Sequence, residues 1–304
     1  MDVAVIGPGA LGCLFGGRLA DAGHDVTLIH HRQEYVDRVT ADGLKIESQV
    51  DGEPSLDIAV EATTDAASVG VVDLAIVFVK AHVTERALDQ HGACIGSETA
   101  VLSLQNGLRH DAILREQVGT DRALAGTTYQ GAILEAPGHI TQTAAGPSTF
   151  GGENMAAARR VAEALNEAGL PAELTDDPER IIWEKQLLSI GIKPIAALTR
   201  LTNDRAVATP ARRDLMRQLI TEAVRVARAR DVDLPDRDHA EGVIEICTGT
   251  DHYSSTLQDV WAERKTEIDE INGALLDMAD EVGIDVPANR IATTLVRGLE
   301  ESYS

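Results

Sequence analysis

The first twelve residues, MDVAVIGPGALG, restrict the fold more than any other stretch of the chain. DVAVI is a short apolar strand. Gly7-Pro8-Gly9-Ala10-Leu11-Gly12 follows, and an apolar-periodic helix then runs to about residue 22. A strand that turns straight into a helix needs glycine for a different reason at each position. Gly7 permits the tight turn, Gly9 lets an anion approach the backbone, and Gly12 lets the helix pack closely on the sheet. N–H groups at the helix start have no intrahelical partner and face that anion. DVTLIH at 25–30 supplies a second strand, which gives βαβ spacing. In this context the spacing GxGxxG predicts a dinucleotide site. The plainer alternative is a structural glycine turn.

The end of the second strand reports on the cofactor ribose. NAD sites usually place Asp or Glu there, but this chain has His30, His31 and Arg32. Arg32 is suited to a 2′-phosphate and the histidines can donate to it, so NADP(H) is favoured. Glu34 is near enough to keep NAD(H) open as the alternative.

VDLAIVFVK at 72–80 and AVLSLQNGL at 100–108 read as buried parallel strands. AGTTYQGAILEAPGHITQ at 125–142 alternates and turns, which predicts antiparallel strands at a sheet margin. From about residue 153 nearly everything reads as helix: about 180–198, 209–230, 239–247, 255–282 and 288–302, after ENMAAARRVAEALNEAG. The expected fold class is α/β, an N-terminal Rossmann-type parallel sheet followed by a C-terminal all-helical domain. The expected domains are 1–170, binding NADP, and 171–304, binding substrate and carrying catalysis.

Composition narrows the partners. Aromatic residues are 3% of the chain, so the cores are expected to be Val, Ile, Leu and Ala. The formal charge of −22 disfavours nucleic acid and anionic membrane. The 49 acidic residues are spread along the chain and lysine is scarce, which suggests a salt-rich cytoplasm; an ordinary acidic enzyme is the bland reading. No apolar run has spanning length and no basic stretch precedes the first strand, so a cytoplasmic chain is expected. Cys13, Cys94 and Cys247 are far apart and form no CxxC, and no clustered ligand set suggests a metal.

Candidate site residues fall in both halves. Lys80 and Asn106 lie just past strand ends, where α/β sheets bind ligands. Lys185, Ser189 and Lys193 are spaced i, i+4, i+8 and share a face if one helix carries them. Gly191 and Pro194 weaken that helix, which could take Lys193 off the face. Ser255 with Gln258 has the form of a capping box, and Glu267 borders an apolar stripe through Ile268 and Ile271. On one continuous helix Ser255 and Glu267 stand about 18 Å apart.

GPGALG, the VFVK strand end, SLQNG, WEKQL, LTND and SSTLQD…RKTEIDEING together resemble the 2-dehydropantoate 2-reductase (ketopantoate reductase) family along nearly the whole chain. The resemblance implies reduction of ketopantoate to pantoate with NADPH, on the route to pantothenate and coenzyme A. It implies a small 2-oxo acid in a cleft between a Rossmann domain and a helical one. By position, Lys185 is similar to the catalytic lysine, Asn106 to the cleft asparagine and Lys80 to the strand-end lysine. Asn203 and Ser255 are similar to substrate-binding residues, and Glu267 to the glutamate near the ribose and the lysine. His31 falls where many members place an arginine for the 2′-phosphate, which leaves Arg32 to substitute. Members commonly read K-x-x-x-N-x-x-x-N where this chain has Lys185, Ser189 and Lys193. That departure keeps open a reductase of another branched 2-oxo acid, and a silent dinucleotide-binding sensor. The apolar helices of the second domain also admit a homodimer.

Overall fold

In the computed structural model, which describes residues 1–303, strand β1 (Asp2–Ile6) is buried beyond its first residue and lies within a ten-stranded sheet. Chain order continues α1 (Ala10–Asp21), β2 (Asp25–Ile29), α2 (Gln33–Asp42), β3 (Leu44–Ser48), β4 (Leu56–Ile58), β5 (Glu61–Thr63), β6 (Leu74–Val77) and α3 (Thr84–His91). It goes on through β7 (Ala100–Ser103), α4 (His110–Val118), β8 (Ala123–Ala136), β9 (His139–Gly151), α5 (Met155–Glu167) and β10 (Ala172–Leu174). Strands β5-β2-β1-β6-β7-β8 pair in parallel throughout. Side chains alternate across this sheet. Val3 and Val5 enter the core that holds Leu14, Phe15 and Val161, whereas Ala4 and Ile6 enter the one that holds Leu88 and Leu114. Both cores are mainly aliphatic, as the composition requires.

The long β8–β9 hairpin is antiparallel, as its alternation predicts, but it is not at the margin. β3 pairs with β9 and β4 pairs with β3, so two further strands extend the sheet past it. Leu44 and Ile46 are fully buried with exposed Lys45 between them, a short strand-like alternation that the longer runs overshadow.

The second unit comprises Asn106–Arg109 and everything from Ile182 onward. The division therefore falls between Ile181 and Ile182, inside helix α6 (Pro178–Thr199), where the sequence predicts a boundary near residue 170. After it come α7 (Asn203–Ala206), α8 (Pro210–Ala229), α9 (His239–Cys247), α10 (Ser255–Trp261), a π-helical turn (Asp269–Gly273), α11 (Ala274–Glu281) and α12 (Pro287–Glu300).

Helix α6 runs unbroken through Gly191 and Pro194, against the expectation that these residues would release Lys193. Tertiary packing overrides their low propensity. Gly191 lets α8 come close: a Cβ there would fall 2.9 Å from Ile220 Cδ1. Pro194 has no N–H for the carbonyl of Ile190, and Asn272 Nδ2 donates to that carbonyl instead, at 3.2 Å.

The single helix expected over 255–282 is two. α10 ends at Trp261, and Glu263 takes a left-handed φ of 50°. The amide and hydroxyl of Thr266 both donate to Glu300 Oε1, which captures the chain before it re-enters helix. The distance of about 18 Å along one helix between Ser255 and Glu267 therefore does not apply. The cap also shifts by one residue. Ser254 Oγ accepts from Leu257 N at 3.2 Å, and Ser255 is the exposed first residue of α10.

Candidate active site

The glycine loop has the geometry that a pyrophosphate requires. Gly7 has φ +89°, and a Cβ on it would lie 2.8 Å from the amide nitrogen of Val79. A Cβ on Gly12 would lie 2.6 Å from the Gly7 carbonyl oxygen. At Gly9 nothing stands within 4 Å of that position, and this residue caps α1 without a side chain. The first-turn amides of α1, those of Ala10, Leu11 and Gly12, thus begin at an open, side-chain-free cradle, which fits a dinucleotide phosphate. Pro8 leaves its carbonyl to the protein: Tyr35 Oη donates to it at 2.6 Å and Cys13 Sγ at 3.3 Å. Burial pushes the Cys13 thiol up to about 11, so it stays a neutral, small core group.

Tyr35 belongs to α2 and links this loop to the end of β2. The His30 ring stacks on Tyr35 at 4.1 Å, and His31 stacks on His30 at 4.5 Å. Burial, then the neighbouring His31, lowers His30 to about 4, so His30 is uncharged at neutral pH. Arg32 caps α2, is exposed, and donates through Nε to His31 Nε2 at 3.2 Å. The residues that follow β2 therefore offer a guanidinium and an imidazole, while Glu34 lies exposed in the first turn of α2.

Lys80 is exposed at the turn after β6, in the first unit. A residue without a predicted role organises the neighbouring strand ends. Gln105 is buried; its Oε1 accepts from Ser103 Oγ at 2.9 Å, and its Nε2 donates to the Val79 carbonyl. The Gln in SLQNG, a long amide directly after a buried strand, was the available signal.

In the second unit a hydrogen-bonded chain joins four side chains. Lys185 Nζ donates to Asn106 Oδ1 at 3.2 Å. Asn106 Nδ2 donates to Glu267 Oε2 at 3.3 Å, and Lys193 Nζ donates to the same oxygen at 3.2 Å. The Asn106 loop is held there because Leu108 N donates to the Glu270 carbonyl at 3.2 Å and Arg109 pairs with Asp277. Glu267 stands just before the π turn whose Asn272 is tied to α6. Lys185 is lowered to about 8, first by burial, then by Lys193, with Glu267 opposing. Ser189, between the two lysines on α6, is buried. Lys193 belongs to this group although Pro194 made its place doubtful in the sequence.

Asn203 and Ser255 lie elsewhere in the same unit. Asn203 N donates to the His252 carbonyl at 2.9 Å, which fastens α7 to the segment leading into α10. The Oδ1 of Asn203 is buried without a hydrogen-bond partner. Among the described residues, no hydrogen bond connects Asn203 or Ser255 to the Lys185 group.

The sequence matches the family description "Ketopantoate reductase PanE/ApbA" over residues 3–154 and its C-terminal counterpart over residues 177–300. The chain belongs to the ketopantoate reductase family. It is similar to the 2-dehydropantoate 2-reductase of Halobacterium salinarum, 36% identical over 302 residues, 98% of each chain. It is also similar to the crystal structure of a ketopantoate reductase from Ralstonia eutropha, with TM-score 0.90 and 33% identity over 100% of this chain and 99% of that one. A D-mandelate dehydrogenase complexed with NADH superposes with TM-score 0.91 at 27% identity, covering 100% of both chains. The sheet-then-helices architecture is that of a ketopantoate reductase.

Proposed function

We propose that this chain reduces the ketone of 2-dehydropantoate to the alcohol of pantoate, using NADPH. The observation that carries the reading is the Lys185–Asn106–Glu267 chain of hydrogen bonds in a ketopantoate reductase family member. The first unit takes the dinucleotide and the second supplies the acid. Bound NADPH supplies a hydride to the ketone carbon.

Negative charge then grows on the carbonyl oxygen. The Lys185 ammonium stabilises that charge and gives it a proton, so hydride plus proton completes the alcohol. A midpoint near 8 keeps Lys185 mostly protonated at neutral pH yet readier to release its proton than an ordinary lysine. Asn106 accepts from Lys185 and so aims the ammonium. Glu267 fixes Asn106 from its other side. Ser255, with Asn203, Lys80 and Ser189, is assigned to the substrate, and the unpaired Oδ1 of Asn203 suits a substrate hydroxyl. Gly7 to Gly12 hold the pyrophosphate. Arg32 and His31 favour the 2′-phosphate and hence NADPH.

Lys193, which stands where the family pattern has asparagine, and the likeness to D-mandelate dehydrogenase favour a second reading: a branched 2-oxo acid other than ketopantoate. A silent sensor is the third reading. Consumption of nicotinamide absorbance with ketopantoate, using NADPH and NADH side by side at molar salt, separates them. Turnover with NADPH and ketopantoate is expected. Equal efficiency across many 2-oxo acids would refute dedicated pantoate synthesis, and no consumption with any of them would refute a reductase.

The charge of −22 and the likeness to a Halobacterium protein support a salt-rich cytoplasm. Among the described residues no helix is long and apolar enough to cross a membrane. Full stability after dialysis to low salt would refute the salt-adapted reading.

A further inference from the structure

The mechanism above leaves Lys193 without a task, yet its position is costly. Its side chain is 10% exposed and its partner Glu267 is 11% exposed, so both charges are held away from water. Removing charges from water is expensive, and a neutral hydrogen-bond donor at this position would serve Glu267 at less cost. Lys193 and Asn106 donate to the same oxygen of Glu267, and Asn106 in turn accepts from Lys185. Two ammonium groups and one carboxylate thus share one largely buried group, with formal charge +1 (two positive, one negative).

We propose that Lys193 is a positioning residue that sets how tightly Lys185 holds its proton. Its ammonium engages the Glu267 oxygen that also holds Asn106, and it adds positive charge beside the acid. Lys185 therefore releases its proton more readily to the growing alkoxide, while the net positive charge attracts a 2-oxo carboxylate. Groups facing Lys185 include Lys193 on its own helix, Glu267 ahead of the π turn, and Asn106 from the 106–109 loop. Burial lowers its proton affinity most, Lys193 lowers it further and Glu267 raises it. The inference rests on Lys185 being the proton donor, but its test does not need turnover.

The chain has only five lysines, Lys45, Lys80, Lys185, Lys193 and Lys265, so 13C labelling at lysine Cε gives a spectrum that single Lys→Arg variants can assign. Wild-type Lys185 is expected to titrate near 8. In K193M its midpoint should rise by about one pH unit or more, a tenfold gain in proton affinity. In K193R it should stay near the wild-type value. In E267Q it should fall. Simple loosening of the site would relieve burial and raise the midpoint in both K193M and E267Q, so opposite signs identify the charge effect. If K193M does not fold with Glu267 left unpaired, E267Q against K193M/E267Q reads the same rise without a buried unpaired carboxylate.

The high-pH limb of kcat should follow the NMR midpoint in each variant. A Lys185 midpoint unchanged by loss of Lys193, or raised equally in E267Q, overturns the proposal. Failure to reduce ketopantoate with the NMR shifts intact would instead overturn the substrate assignment alone.

Discussion

Replacing Asn272 by alanine tests how α6 is kept straight at its proline. Asn272 is fully buried; its Nδ2 donates to the Ile190 carbonyl at 3.2 Å and to Asn289 Oδ1 at 3.0 Å. Truncation leaves two buried acceptors without this donor, each loss costing about 1–3 kcal/mol. It also removes Asn272 Oδ1, itself buried without a partner, which returns about 1 kcal/mol. The net loss is about 1–5 kcal/mol. Both tryptophans, Trp183 and Trp261, lie in the second unit, so fluorescence during urea unfolding reports that unit. With a slope of about 2 kcal/mol/M the midpoint should fall by about 0.5–2.5 M. The cause is tested by a cycle with P194A. Alanine restores the N–H at position 194, so Ile190 keeps a donor and N272A should cost about 1 kcal/mol less in that background. A loss under about 0.5 kcal/mol for N272A alone, or additivity within about 0.3 kcal/mol in the cycle, would refute the reasoning.

Gly9→Ala should leave stability within about 0.5 kcal/mol, because the new Cβ meets nothing within 4 Å. It should nevertheless weaken NADPH binding at least tenfold, about 1.4 kcal/mol, in a nicotinamide fluorescence titration; unchanged binding would remove the pyrophosphate from this cradle. Arg32→Ala should raise KM for NADPH by about 10–100-fold, the worth of a charge-assisted hydrogen bond, and leave KM for NADH nearly unchanged in steady-state assays. Lys185→Ala should lower kcat by about 10²–10⁴. In the wild type, kcat for reduction should hold on the acid side and fall as pH rises through about 8, since the ammonium is the active form and its affinity is depressed; a rise through that pH would make Lys185 a base.

Legibility in the sequence followed the range of the forces involved. Gly7, Gly9 and Gly12 act through local backbone geometry, so their spacing was enough to place them. Lys185 stood out in the sequence through its i, i+4, i+8 spacing with Ser189 and Lys193. Lys193 was harder: its position depends on whether α6 survives Pro194, and that is decided by Asn272, 78 residues further on (272 − 194). The end of α10 at Trp261 was hidden for the same reason, since Glu300 holds Thr266 from α12. β3 and β4 escaped notice because strands of five and three residues carry too short an alternation to stand out beside the longer runs. Ser254 and Ser255 are chemically identical, so no local signal could say which one caps the helix.

The short loop Asn106–Arg109 belongs to the helical unit although it follows β7. On the ribosome, Asn106 emerges 79 residues before Lys185 and 161 before Glu267. The acid group therefore cannot assemble until Glu267 has emerged, however early the glycine loop has folded. An expressed fragment starting at Ile182 would likewise lack Asn106, and Glu267 and Lys185 would lose the amide that links them. Only a graft that carries the 106–109 tetrapeptide across as well could move this chemistry to another scaffold.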